Sequence, residues 1–185
     1  MFIQTETTPN PATLKFLPGR TVLATGTLDM RDKSEAVRSP LAERLFDVEG
    51  VGGVFLGSDF ITVTKIDGEW PQLKPAILGV IMEHFVSGAP VVAADAGDSS
   101  EANEFFEAGD ADTVATIKEL IETRVRPAVA NDGGDITFRG YKDGVVYLAM
   151  KGSCSGCPSS TATLKHGIQN LLRHFVPDVT EVRPI

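Results

Sequence analysis

An acidic stretch near the middle of the chain most constrains its fold. Residues 89–112 carry seven acidic side chains and no basic one, and they are rich in Ala, Gly and Ser. Such a segment repels itself and buries little apolar surface, so we expect an extended, flexible linker rather than part of a core. The sequence therefore predicts two small domains, residues 1–88 and 112–185, joined by an acidic linker at residues 89–111.

The rest of the composition is that of an ordinary globular chain. Its 185 residues are 42% hydrophobic and 23% charged, which fits two small domains. No apolar run approaches the roughly 20 residues that a membrane span needs. The net charge of −8 argues against general binding of nucleic acid. We therefore expect neither a membrane nor a nucleic acid as a partner.

The beginning of the chain and its cysteine content bear on where the protein works. The first residues, Met1 to Glu6, show no signal-peptide pattern. Two cysteines do not make a disulfide framework, which indicates a reducing compartment. We expect the cytoplasm of a bacterium, or the mitochondrial matrix if a transit peptide has been removed.

The pattern of the first domain predicts a small α+β unit with a mainly antiparallel sheet. The expected strands span residues 2–7, 13–17, 22–25, 51–56 and 60–65. Helices are expected to begin at Pro40, capped by Ser39, and at Pro71. Trp70 is expected to pack, and His84 to be packed or solvated rather than a ligand. Because no catalytic constellation is found here, we expect this domain to recognise a partner rather than to catalyse a reaction.

The second domain has the predicted order α-β-β-α-β. Its first helix is expected to end at Pro127, because proline interrupts helical hydrogen bonding. A turn at residues 131–135 leads into two strands near residues 136–141 and 145–150, and a last strand is expected at residues 179–182. The second helix places five apolar residues on one stripe: Leu164, Ile168, Leu171, Leu172 and Phe175.

Cys154 and Cys157, the only cysteines of the chain, lie between a predicted strand and this second helix. Gly152 and Gly156 allow a tight turn, and Pro158 suits the first position of a helix. Unpaired N–H groups at a helix N-terminus favour the thiolate, which is the form of cysteine that binds metal or attacks a disulfide. The pair is therefore the candidate functional site.

The charges nearby in the sequence support an anion at this turn. No Asp or Glu occurs between Asp143 and Asp178, whereas Lys151, Lys165 and Arg173 fall inside that stretch. We therefore expect the local electrostatics to favour thiolate over thiol.

A Cys-x-x-Cys pair by itself leaves several chemistries open. A thioredoxin-like thiol–disulfide oxidoreductase also places its reactive cysteine at a helix N-terminus, but the α-β-β-α-β order matches that fold poorly. A zinc site needs four ligands, and the nearby His166 and His174 are poorly aligned for that role. Two buried, inert thiols fit badly with glycine on both sides of the pair. An iron–sulfur site also requires cysteine thiolates.

Two motifs of the second domain, taken together, resemble a known family. The stretches RPAVANDGGD at residues 126–135 and MKGSCSGCPSS at residues 150–160 resemble the C-terminal module of NifU-like proteins, the Nfu-type iron–sulfur carriers. The stretch PNPATLKFLPG at residues 9–19 resembles the N-terminal domain that accompanies this module. The resemblance covers nearly the whole chain apart from the linker.

This resemblance implies an iron–sulfur cluster carrier rather than an enzyme. Cys154 and Cys157 inherit the role of cluster ligands. The expected partners are an upstream assembly scaffold and the apoproteins that accept the cluster. Full-length nitrogen-fixation NifU proteins carry two further cysteine-containing domains that are not found within these 185 residues, which favours carriage over de novo assembly.

Counting ligands predicts how the cluster is completed. A [4Fe–4S] cluster normally takes four cysteines, and one chain supplies two. We therefore expect a second copy to supply the other two across a two-fold axis, so that the loaded protein is a homodimer with a bridging cluster. A bridging [2Fe–2S] cluster would satisfy the same count.

Overall fold

The computed structural model describes residues 1–94, 104–154 and 158–185, with the backbone alone for residues 158–160. The chain divides into two compact units, Met1–Asp98 and Ser99–Ile185. Each unit combines a sheet with helices, which confirms the predicted α+β fold class. Across the described ranges, no helix has both the length and the apolar character that crossing a bilayer demands.

The described part of the first unit is a sheet of five strands with two α-helices. Its elements in chain order are β1 (Gln4–Thr7), β2 (Thr13–Leu17), β3 (Leu28–Met30), α1 (Pro40–Phe46), β4 (Val51–Leu56), β5 (Ile61–Lys65) and α2 (Trp70–Ser87). The sheet order is β1-β2-β5-β4-β3, and every pairing is antiparallel, as predicted.

Both helices of the first unit begin close to the predicted residues. The Ser39 hydroxyl accepts the N–H of Ala42 at 3.1 Å, so Ser39 caps α1 as expected. Trp70 packs against the core, and its indole Nε1 donates to the carbonyl of Pro11 at 3.1 Å. Helix α2 buries Leu73, Ile77 and Ile81, which together with the inner face of the sheet form the core of this unit.

The predicted strand at residues 22–25 is wrong. Val22 and Leu23 are buried, but both of their N–H groups donate to one carbonyl, that of Ser58, at 2.7 and 3.2 Å. A strand ladder gives each N–H its own partner, so this segment is a loop, of which only Val22 and Leu23 are buried. The strand lies later, at Leu28–Met30, where it pairs with β4.

The residues directly after α2 are held by the first unit. The Ser39 hydroxyl donates to the carbonyl of Val91, and the N–H of Ala93 donates to the carbonyl of Arg38 at 2.9 Å. Val91 and Val92 pack against the core. The beginning of the predicted linker thus has tertiary contacts, whereas its residues 95–103 lie outside the described residues.

The second unit confirms the predicted α-β-β-α-β order. Its elements are α3 (Ala111–Leu120), a π-helical turn (Ile121–Val125), α4 (Arg126–Asn131), β6 (Gly134–Lys142), β7 (Val145–Gly152), α5 (Pro158–Phe175) and β8 (Glu181–Pro184). Strand β7 is central, antiparallel to β6 and parallel to β8. The apolar sides of the helices pack with the sheet into one core, to which Val114, Ile117, Ile168 and Leu172 contribute.

The prediction that Pro127 ends the first helix is wrong. The helix continues through the π-helical turn, in which the N–H of Arg126 bonds to the carbonyl of Ile121, five residues back. Pro127 then occupies the first turn of α4, where a missing N–H leaves no helical bond unmade. The wider turn therefore lets the helix pass the proline, and it places Arg126 at the start of α4.

Two further expectations for the second unit need correction. The predicted turn at residues 131–135 is shorter, because Gly134 and Asp135 already belong to β6 and pair with Gly152 and Lys151. Phe175 does not join the buried stripe of α5: its side chain is exposed and lies 5.0 Å from the guanidinium of Arg124. A cation beside the aromatic face gives this ring a partner at the surface.

The end of the predicted linker belongs to the second unit. Phe105 accepts the N–H of Tyr141 at 2.9 Å and donates its own N–H to the carbonyl of Arg139 at 3.0 Å, which extends the edge of β6. Its ring covers Gly140 and lies 5.1 Å from the ring of Tyr147. A side chain at Gly140 would overlap this ring and displace it from Gly140.

Candidate metal centre

The turn that carries the first cysteine follows directly from β7. Gly152 ends the strand with a left-handed φ of 66°, a conformation that favours glycine, and Ser153 and Cys154 follow in the turn. Helix α5 begins at Pro158. The strand-to-helix location predicted for the cysteines is thus confirmed for Cys154, whereas Cys157 lies outside the described residues.

Ser153 fastens this turn to the turn that precedes β6. Its hydroxyl donates to the carbonyl of Asp132, and its N–H donates to the carbonyl of Gly133 at 3.3 Å. Ser153 is almost fully buried, so both of its polar groups are used inside the protein. Gly133 has a φ of 81°, which favours glycine, and donates its own N–H to the carbonyl of Ala130, so it shapes the turn before β6.

Cys154 lies against Gly134. A β-carbon at Gly134 would sit 2.8 Å from the Cys154 sulfur and 2.7 Å from the carbonyl oxygen of Lys151. The side chain of Cys154 belongs to the core of the second unit, and the residue is only 6% exposed. The thiol therefore occupies a socket whose wall is the backbone of β6.

The expectation that local electrostatics favour the thiolate at Cys154 is wrong. The pKa of this thiol is raised to about 11: burial is the largest cause, a hydrogen bond with Ser153 lowers the pKa, and the carboxylates of Asp132 and Asp135 raise it. The expectation counted only charges near in sequence. The strand pairing of β6 with β7 brings these two carboxylates to the turn from the preceding segment.

Thr161 connects the first described side chains of α5 to the same turn. Its hydroxyl donates to the carbonyl of Cys154 at 2.9 Å. This bond satisfies a carbonyl that lies beyond the sheet and has no strand partner. The backbone of Cys154 is thus held by α5 on one side, and the neighbouring Ser153 is held by the turn before β6 on the other.

A salt bridge between Arg126 and Asp135 links α4 to the start of β6. The guanidinium of Arg126 donates from Nε and Nη2 to the two carboxylate oxygens of Asp135, both at 2.9 Å. The Asp135 side chain is 5% exposed, whereas Glu122, which accepts from Arg126 Nη1 at 2.7 Å, is 60% exposed. Hydrogen bonds to Asp135 raise the pKa of Arg126 above its usual value. A bidentate arginine–carboxylate pair of this kind fixes the relative orientation of the two side chains and also neutralises their charges.

The described residues hold no complete set of metal ligands. Nowhere within those ranges do three His, Cys, Asp or Glu side chains come together at a spacing that suits a metal ion. His166 and His174 are both exposed on α5, and the His174 ring lies edge-on to Phe175 at 5.0 Å.

In the first unit, His84 is packed rather than solvated. It is fully buried near the end of α2, and its Nε2 bonds to the carbonyl of Pro90 at 3.1 Å. Burial lowers the pKa of His84 below its usual 6.5, and the Arg44 cation adds to that effect. The imidazole therefore belongs to the packing that holds residues after α2, in agreement with the structural role predicted for it.

Comparison with known proteins identifies the family. Residues 3–88 match the family model described as the scaffold protein Nfu/NifU N-terminal domain, and residues 117–183 match the model of the NifU-like domain. The chain belongs to the Nfu/NifU family. The family resemblance drawn from the motifs is thereby confirmed, and the cysteine turn lies inside the second match.

Two relatives show how much of the chain this Nfu/NifU relationship covers. The human protein named NFU1 iron-sulfur cluster scaffold homolog, mitochondrial, is 50% identical over 187 aligned positions, which cover 100% of this chain and 72% of that protein. The Drosophila sechellia protein of the same name is 54% identical and is covered to 65%. The chain thus spans about two thirds of the length of these relatives.

A solved structure also matches. The solution NMR structure of a NifU-like protein from Saccharomyces cerevisiae is 28% identical, with a TM-score of 0.46, over 51% of this chain and 87% of that one.

Sequence reasoning found the cysteines but missed the residues that surround Cys154. Ser153, Gly134 and the Arg126–Asp135 pair are all contained in the two motifs that carry the Nfu/NifU resemblance. The motifs marked these positions without indicating their contacts. That the motifs form the two sides of one site follows from the pairing of Gly134 with Gly152.

Proposed function

We propose that this protein carries an iron–sulfur cluster as cargo and delivers it to apoproteins. The observation that carries the proposal is the family relationship, since relatives at 50% identity and above are named iron–sulfur cluster scaffold homologs. The chain has two cysteines, and both lie in the motif shared with the NifU-like domain. Cysteine thiolates are the usual ligands of iron in such clusters.

Cys154 and Cys157 are the proposed cluster ligands. In the cluster-free protein, the Cys154 thiol is buried and its pKa is raised to about 11. Binding iron requires the thiolate, so metal has to displace the proton and draw the sulfur away from Gly134. The protein would then give up packing of this thiol each time it is loaded and regain it on release, which suits transfer better than permanent retention.

The same feature disfavours a thiol–disulfide oxidoreductase. Reactive cysteines of that class have lowered pKa values and partly exposed sulfurs. Cys154 has a raised pKa and a buried sulfur. No observation on the described residues favours that alternative.

The cluster is proposed to bridge two copies of the chain. Two cysteines supply half of the four thiolates that a [4Fe–4S] cluster takes, and the described residues offer no further ligand cluster. A second copy placed across a two-fold axis completes the set with identical groups. The same four thiolates would also hold a bridging [2Fe–2S] cluster, so the ligand count supports the dimer and leaves two or four irons open.

The role proposed here is that of a carrier, not of an enzyme. Its partners would be an upstream scaffold that donates the cluster and apoproteins that accept it. The relatives are named as mitochondrial, which supports the mitochondrial matrix of the two compartments expected from the sequence. The bacterial cytoplasm has no support among them.

Anaerobic reconstitution with iron, sulfide and a thiol reductant tests the proposal. We expect a brown protein with visible absorption, one cluster per two chains, and a change from monomer to dimer in sedimentation. Iron and sulfide are measured on the same fractions. A holoprotein that stays monomeric with four irons per chain would contradict the bridge, and failure to take up any iron would contradict the proposed function.

Single cysteine variants test the ligands. Cys154→Ala and Cys157→Ala should each abolish the visible absorption while the far-UV circular dichroism stays unchanged. Ser87→Ala in the first unit serves as a control for handling and should load like the unaltered protein. A cysteine variant that still binds a full complement of iron and sulfide would exclude that residue as a ligand.

A further inference from the structure

The positions of Ser153 and Cys154 depend on the segment that directly follows α4. The contacts run through backbone groups of residues 132–134: Ser153 bonds to two of their carbonyls, and the Cys154 sulfur lies against the α-carbon of Gly134. Any displacement of this segment would therefore move the wall of the socket in which Cys154 lies.

We infer that Arg126, acting through Asp135, is the positioning residue of the cluster site. Asp135 directly follows Gly134. Its two carboxylate oxygens accept hydrogen bonds from Nε and Nη2 of Arg126, each at 2.9 Å. The pair joins the first residue of α4 to the second residue of β6. It thereby fixes Gly134 against Cys154. This inference rests on the proposed function, because it assigns a role in the same site.

The position of Asp135 in the sheet explains why a bidentate salt bridge with Arg126 is useful at the start of β6. Residues 134 and 135 are at the beginning of β6, where strands fray most readily, and β6 has β7 as its strand neighbour on one side only in the described sheet. A bidentate arginine restricts both the position and the plane of the carboxylate, which a lysine would not do. The pair therefore stabilises the one end of β6 that the cysteine turn uses.

Burial gives the pair a second effect. The Asp135 side chain is only 5% exposed, and the Arg126 cation, bound to both carboxylate oxygens, neutralises its charge. Loss of Arg126 would leave this buried carboxylate without that cation, so we expect Arg126→Gln to disturb the start of β6 more than Asp135→Asn.

The chain supplies a matched control for this inference. Arg126 also bonds to Glu122, but that carboxylate is largely exposed and lies four residues before Arg126 in the π-helical turn. Glu122→Gln therefore removes a partner of the same arginine without altering the contact to Asp135. Val182→Ala, a buried position on β8, is a second control that destabilises the unit at the strand furthest from β6.

The first test needs no cluster: amide hydrogen exchange of Ser153, whose N–H donates to Gly133, measured by NMR on the cluster-free full chain. Arg126→Gln and Asp135→Asn should each accelerate this exchange by about tenfold or more, whereas Glu122→Gln should leave it within about twofold. Arg126→Lys should fall between them. Val182→Ala should accelerate exchange across the sheet without a preference for Ser153. Equal protection of Ser153 in Asp135→Asn and Glu122→Gln would overturn the inference.

The second test follows release of the cluster to a ferrous-iron chelator from the reconstituted dimer, at a temperature at which every variant is folded. Release should be about tenfold to a hundredfold faster in Arg126→Gln, less so in Asp135→Asn, and unchanged in Glu122→Gln. Equal release from all three variants would overturn the inference. If the unaltered protein takes up no cluster, the proposed function fails while the exchange test still decides whether Arg126 positions the turn.

Discussion

The α-carbon of Gly134 lies against the sulfur of Cys154, so closely that an alanine methyl group at residue 134 would stand 2.8 Å from it. This contact ties the first residue of β6 to the first proposed ligand of the cluster. It also explains why the thiol is buried and why glycine is required at residue 134.

Gly134→Ala should destabilise the second unit by about 1–3 kcal/mol, because the methyl group overlaps the Cys154 sulfur and the Lys151 carbonyl. In a Trp70→Phe background, which removes the tryptophan signal of the first unit, near-UV circular dichroism of tyrosine reports on the second unit, since both tyrosines of the chain, Tyr141 and Tyr147, lie in it. The measurement is the urea midpoint of that signal.

Gly167→Ala is the control for that substitution. Gly167 lies inside α5, and a β-carbon there meets no atom within 4 Å. The substitution should stabilise the unit by about 0.5–1 kcal/mol, since alanine is the better helix former. If both alanine variants unfolded at the same urea concentration, the close contact at Gly134 would be unsupported.

The Cys154 thiol should react slowly in the cluster-free protein, because its sulfur is enclosed by Gly134 and by the core. In a Cys157→Ser background, alkylation by iodoacetamide should be at least about tenfold slower in the folded chain than in urea at the same pH. Mass spectrometry of timed samples gives the rate. Adding Gly134→Ala to this background should accelerate labelling, and equal rates in the folded and unfolded chains would show that the socket does not form.

The first unit should lose stability as the pH falls below about 6.5, because burial lowers the pKa of His84 in the folded state. The unfolded chain then binds a proton that the folded chain excludes, so stability is full above the unfolded pKa and declines towards the folded one. Arg44 is the charged group that faces the ring, and it disfavours the protonated form as well.

Fluorescence of Trp70, the only tryptophan, reports unfolding of this unit. The urea midpoint of the unaltered protein should fall between about pH 7 and pH 5, whereas that of His84→Gln should be nearly constant over the same range. Parallel curves for the two proteins would contradict a lowered pKa at His84.

Ser39→Ala should destabilise the first unit by about 1 kcal/mol or somewhat more. The hydroxyl caps α1 through the N–H of Ala42 and also donates to the carbonyl of Val91. Exchange of the Ala93 amide, which bonds to the carbonyl of the adjacent Arg38, should accelerate as well. Ser34→Ala is the comparison, because the Ser34 hydroxyl bonds only at the surface, and it should change stability by less than about 0.5 kcal/mol.

Local signals in the sequence were sufficient for the order of elements and for the place of the cysteines. Ser39 and Pro40 start α1, and Pro158 starts α5, because capping and the missing proline N–H act within one helical turn. The short apolar run at residues 145–150 predicts β7, since such a run is typical of a buried strand. The motifs around residues 126–135 and 150–160 likewise identified the family.

Tertiary structure decided the environment of the proposed ligand. Sequence neighbours of Cys154 are cationic or neutral and predicted a stabilised thiolate, but its neighbours in space are Gly134, Asp132 and Asp135. Similarly, Pro127 interrupts a regular helix, yet a π-helical turn carries the chain past it and sets Arg126 opposite Asp135. Electrostatic fields and desolvation depend on distance through space, so the protonation of Cys154 followed from the pairing of β6 with β7 and not from the order of residues around it.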